Sequence, residues 1–200
     1  MFKSKILAAV TFAALSNVSI AAFVECPGLG GVNTRNAGFE LAVAGSCKFR
    51  DGNTTVSDIR TDYPAGAGQE WVELDQTLIS GDTGLITVVF TQGDNPTGLR
   101  PGTYGISGTW TINDANIWND YSRLAFSTHI GNGSGTPDSW SWLIAPEETS
   151  GNFFIEATSL SNWNGFSNAK LYGEVPIPAA VWLFGSGLLG LVGIARRKKA

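Results

Sequence analysis

Histidine occurs once in the 200-residue chain, at His129, so any acid–base scheme built on imidazole must pass through it. Its setting, Phe126-Ser127-Thr128-His129-Ile130, is a strand end running into a glycine loop, and no nucleophile elbow accompanies it. A solvated or hydrogen-bonded histidine is expected there rather than a general base. Glu147-Glu148 is the one adjacent acidic pair. Neighbours on an extended chain face opposite ways, so these two do not make the facing carboxylates of a hydrolase. No catalytic residue is assigned.

Oxygen donors for a hard cation occur at Asp51, Asn53 and Asp58, and separately at Asp82 and at Asp94-Asn95. Without an EF-hand loop or a nonapeptide repeat, Asp51-Gly52-Asn53 reads first as a turn. No cofactor is expected, with calcium as the one candidate ion. Cys26 and Cys47 are too few for a structural zinc site. In an oxidising compartment they pair, and closing such a loop contributes about 3 kcal/mol. Of the tryptophans, Trp118 in Asp114-Ala115-Asn116-Ile117-Trp118-Asn119-Asp120 and Trp163 in Ser161-Asn162-Trp163-Asn164-Gly165 lie in polar loops. Aromatic faces stack on sugar rings, which makes this pair the candidate glycan-binding residues.

The elements that must position these residues read as strands. Apolar side chains recur at every second place in short runs broken by Gly, Asn, Asp and Pro, and no helix of convincing length appears. Strands are predicted over 38–43, 56–60, 70–79, 85–91, 103–112, 122–130, 140–145, 152–157 and 169–172. In Trp140-Ser141-Trp142-Leu143-Ile144, bulky and small residues alternate as on a sheet with one buried face. Eight or nine strands without long helices point to an all-β fold. Two antiparallel sheets packed as a β-sandwich or jelly roll are expected, with a closed barrel as the alternative.

Both ends differ from this middle. Residues 1–21 begin with Lys3 and Lys5, run through an apolar stretch of about ten residues and reach Ser19-Ile20-Ala21, the pattern of a signal peptide. The expected outer domain is then 22–173. It carries seven basic and sixteen acidic residues, a net charge of −9, which excludes binding to nucleic acid through a basic face. From 174 onward, Glu174-Val175-Pro176-Ile177-Pro178 leads into an apolar run long enough to span roughly 28 Å as a helix. Arg196, Arg197, Lys198 and Lys199 follow it, and by the positive-inside rule they hold the outer domain outside.

This tail resembles the PEP-CTERM sorting signal of Gram-negative bacteria. The likeness covers about 25 residues: Pro176-Ile177-Pro178, an apolar helix with the core Trp182-Leu183-Phe184-Gly185-Ser186-Gly187-Leu188-Leu189-Gly190-Leu191, and the basic cluster Arg196 to Lys199. Ile177 stands where the family's namesake glutamate would be, as in an apolar variant of the motif. The resemblance implies an exosortase-type processing enzyme as partner and substrates linked to exopolysaccharide and biofilm. It also implies a precursor in the inner membrane, its outer domain in the periplasm, that later reaches the cell surface or the exterior. Three functions compete: a noncatalytic structural or adhesive surface protein, which ranks first; a carbohydrate-binding module using loop tryptophans; and a secreted hydrolase.

Overall fold

The computed structural model describes residues 23–26, 34–131, 136–163 and 165–176. The signal peptide expected over 1–21 lies outside them, as do Ile177, Pro178 and the basic cluster at 196–199. The described chain is all-β. It runs through β1 (Phe23–Cys26), β2 (Arg35–Glu40), β3 (Lys48–Arg50), α1 (Val56–Asp62), β4 (Gln69–Thr77), β5 (Ile86–Asp94), β6 (Tyr104–Ile112), α2 (Ile117–Asp120), β7 (Leu124–Ile130), β8 (Ser139–Leu143), β9 (Ser150–Ala157), a 3-10 turn at Leu160–Asn162, and β10 (Phe166–Pro176).

The strands form two five-stranded sheets, ordered β1-β2-β9-β6-β5 and β3-β8-β7-β10-β4. All their pairings are antiparallel. Aromatic side chains join the two inner faces. Phe39 of the first sheet lies 4.7 Å from the ring of Trp110 beside it. Across the gap it lies 4.6 Å from Phe126 and 5.5 Å from Trp142 of the second. All four rings are buried. Burial of each contributes roughly 2–3 kcal/mol by the area it removes from water.

Period-two alternation finds most of the strands; the one expected over 38–43 is β2, which ends at Glu40, and one segment changes type. Residues 56–60, expected as a strand, belong to helix α1. Thr55 and Asp58 form a capping box in which each side chain serves the other's backbone N–H. That reciprocal pairing satisfies two donors that a helix start otherwise leaves orphaned. The helix then lays Ile59 and the following Tyr63 over the outer face of the second sheet, against Trp71, Ala125 and Tyr172, and builds a second small core. Tyr63 fixes the packing by donating to the Ser46 carbonyl at 2.7 Å. Its backbone carbonyl in turn accepts the Trp71 indole N–H at 2.7 Å.

Cys26, at the end of β1, is bridged to Cys47, which immediately precedes β3, with the Cα atoms 5.7 Å apart. The expected disulfide is therefore formed, and it ties the first sheet to the second. At the other end of the chain, β10 continues past Gly173 to Pro176, which lies opposite Gln69 of β4.

Candidate functional site

The outer faces of the two sheets are finished differently. Helix α1 packs on that of the second sheet, whereas the loop of residues 95–103 between β5 and β6 reaches across the first sheet to Glu156 and Glu25. Strand register decides what this face presents. One row across it reads Phe23, Glu40, Asn152, Thr109 and Val89, and the next reads Glu25, Gly38, Phe154, Ser107 and Thr91. Gly38 is required in this second row. A Cβ there would stand 2.2 Å from the ring of Phe154, which lies flat over β2. Phe23 meets that ring edge-on at 5.2 Å.

The loop is held down by charge. Arg100 donates to Glu156 at 2.9 Å and also to Glu25, while Thr97 donates to the other oxygen of Glu156. Asn95, in the left-handed region at φ 45°, turns the loop, and its side-chain oxygen accepts from the Arg100 backbone at 2.9 Å. Burial works against the Arg100 charge, but Glu156 and Glu25 outweigh it and hold the guanidinium above its ordinary pKa. Glu156 is fully buried, so the ion pair is part of the architecture and not a rim contact.

Between loop and sheet lies a partly enclosed cleft of about 340 Å³, within the range of roughly 300–1,000 Å³ typical of small-molecule sites. Its apolar walls are Phe23, Pro96 and Leu99, and Ser107, Thr109 and Asn152 line its floor. The Asn152 backbone N–H and its side-chain amide N–H both donate to Glu40, and the side-chain carbonyl oxygen has no hydrogen bond among the described residues. The hydroxyls of Ser107 and Thr109 are unbonded among the described residues. This arrangement can accept and donate hydrogen bonds. It brings no histidine, thiol or metal cluster together with its carboxylates, and among the described residues no three His, Cys, Asp or Glu side chains gather to hold a metal ion.

The tryptophans expected at a glycan site are not brought together. Trp163 is buried, its ring 6.2 Å from that of Tyr104 at the start of β6. Trp118 is half-buried beyond the far end of the same strand and donates to the Glu148 carbonyl at 3.0 Å. A nine-residue strand separates them, about 27 Å at the usual rise, so they form no common platform. His129 also departs from expectation, for it is neither solvated nor hydrogen-bonded: it is buried, and neither ring nitrogen has a partner. It stands opposite Ser139 of β8 and Asn168 of β10. Burial depresses its pKa.

The oxygen donors considered for calcium serve local structure. Asp58 caps α1 and pairs with Arg50, Asn53 accepts from Asn168 at 2.9 Å, and Asn95 turns the loop. Asp51, Asp82 and Asp94 are exposed. The cleft residues carried one weak signal in the sequence, the outward alternation of Ser107 and Thr109 with the buried Ile106 and Trp110. Phe23, Arg100 and Asn152 carried none, because their meeting depends on pairings far apart in the chain. Comparison with protein-family models, curated proteins and solved structures finds no match to this chain.

Proposed function

We propose that this is an exported surface or extracellular-matrix protein, sorted through its C-terminal tail by an exosortase-type enzyme, with a noncatalytic outer domain in a structural or adhesive role linked to exopolysaccharide or biofilm. The observation that carries export is the Cys26–Cys47 disulfide, which joins the two sheets and persists in an oxidising compartment such as the periplasm. The signal-peptide pattern of 1–21 and the apolar, basic-ended tail agree with it.

The sorting reading rests on the Pro176-Ile177-Pro178 motif and on how the outer domain hands the chain to it. Glu174, nearly fully buried, accepts from Arg123 Nε at 2.6 Å and from the Gly66 backbone N–H at 2.6 Å. This anchors β10 two residues before Pro176, so the sandwich meets the motif without a loose spacer. Proline supplies no backbone N–H and disfavours helix, which keeps an extended segment for a processing enzyme to take up. The precursor then sits in the inner membrane with the sandwich outside it, and processing releases the outer domain toward the surface.

The test is a blot of cell fractions against the outer domain in a host that has the exosortase. The parent chain is expected to be shortened and to leave the membrane fraction, while the Pro176→Ala/Pro178→Ala double variant accumulates as a full-length membrane precursor. Parent and variant both remaining full length in the membrane would make the tail a plain anchor and overturn the sorting reading.

A further inference from the structure

We propose that the cleft on the outer face of the first sheet is a binding site for a neutral glycan, a segment of hexose-based polysaccharide, gripped between Phe23 and Leu99 over a floor of Ser107, Thr109 and Asn152. The proposal rests on the adhesive reading above and names what the outer domain holds.

The chemistry of the cleft selects this ligand over others. A sugar ring has two apolar C–H faces and a rim of hydroxyls, each able to donate and accept. The cleft has the complementary arrangement: an exposed aromatic, Phe23, and an exposed aliphatic, Leu99, at its rims, with unbonded hydroxyls and an amide carbonyl between them. Leu99 is 77% exposed at the tip of a loop that Arg100 and Thr97 pin to Glu156, so an apolar side chain is held out over the cleft by a rigid base. Phe23 is 39% exposed, and its ring is braced by Phe154. Both rims therefore offer apolar surface on backbone that is already held in place, which lowers the ordering cost of binding.

Charge excludes the rivals. Among the described residues the cleft's one cation, Arg100, is spent on Glu25 and Glu156, and Glu40, next to Asn152 in the same row, accepts from it. An anionic polymer, whether a uronate-rich polysaccharide or a nucleic acid, meets no free positive charge there and approaches a domain of net charge −9. A peptide adding a strand needs the open backbone edge of a sheet. Here the floor is the face of β9 and β6, whose backbone groups are paired to strands on both sides. An acyl chain would leave the floor hydroxyls and the Asn152 carbonyl without partners, a penalty of order 1–3 kcal/mol for each group so buried.

The experiment is a binding measurement with the full-length protein, purified in detergent from the exporting host, on an array of neutral hexose oligosaccharides and uronate-bearing oligosaccharides. Binding is expected on one class of neutral hexose oligosaccharides, unchanged between low and high salt. Asn152→Ala and Leu99→Ala are each expected to weaken it about ten-fold or more, as removal of a central contact does. Leu99 is largely exposed, so its variant keeps the parent's thermal midpoint and a loss of binding there reports the cleft alone. Absence of binding to every neutral oligosaccharide, binding confined to uronate-bearing ones, or binding undiminished in both variants would overturn the proposal. Its failure is distinct from failure of the sorting reading, which is judged by fractionation and not by glycan retention.

Discussion

His129 is held neutral by its surroundings. Burial is the largest influence and lowers its pKa from an ordinary 6.5; Asp138 opposes that, and Arg35 and Lys170 reinforce it. A base whose pKa is depressed by folding binds its proton more readily in the unfolded chain. Stability from this site is therefore complete above about pH 6.5 and is lost as pH falls toward the lower folded value. Glu174 acts in a separate window. Hydrogen bonds from Arg123 lead the influences that hold its carboxyl below the ordinary 4.5, so its contribution is present above that pH and declines only below it. Urea midpoints measured from pH 7.5 down to pH 5 should thus fall for the parent chain and stay nearly flat for His129→Gln. An equal slope in the variant would move the titration to another group. Glu174 is the wrong group to explain a change in that range.

Strands β2 and β9 show how an element's sequence is dictated by its neighbour. Gly38 is opposite Phe154, and the missing Cβ is the space that the Phe154 ring occupies. Gly38→Ala forces that buried ring to move, with an expected cost of about 1–3 kcal/mol for overpacking. In a Phe154→Ala background the same substitution meets open space and should cost much less, so a double-mutant cycle read by urea unfolding should show a coupling of about 1 kcal/mol or more. Additive effects would mean that the ring does not depend on the glycine. Helix α1 makes a related point. In the run Val56-Ser57-Asp58-Ile59-Arg60 the two apolar residues stand three apart, the spacing of a helix face, and Thr55 and Asp58 cap it as a helix. Five residues are too few for a period to decide the element by itself, and the cap together with the burial of Ile59 against Trp71, Ala125 and Tyr172 decides it.

At the scale of the whole molecule, the disulfide links Cys26 of the first sheet to Cys47 at the start of the second, across 21 residues. Restricting an unfolded loop of that length is worth about 3 kcal/mol. Reduction, or the Cys26→Ser/Cys47→Ser double variant, should lower the unfolding free energy by about that amount while the inner stack of Phe39, Trp110, Phe126 and Trp142 keeps the sandwich assembled at neutral pH. A reductant titration monitored by tryptophan fluorescence in urea checks it. Unchanged midpoints with and without reductant would show that the bridge adds nothing to the clamp already made by the aromatic core.

What could be read from the chain alone was what is local or countable. Alternation within 103–112 and 122–130 marks β6 and β7, since side-chain period is a property of a single strand, and the two cysteines of the chain have only each other to pair with. The three-residue β3 is too short for any period to register, and β1 is recognised as a strand only by its pairing with β2. The cleft belongs wholly to tertiary structure. Phe23, Leu99, Thr109 and Asn152 meet only because β1, β2, β9 and β6 lie side by side in an order unrelated to their sequence, and a register shift of one residue in β9 would exchange Asn152 for the core residue Phe153. For the same reason Trp118 and Trp163, alike in their polar sequence settings, are carried to opposite ends of β6, and His129 is sealed between strands that contribute Ser139 and Asn168 from elsewhere in the chain.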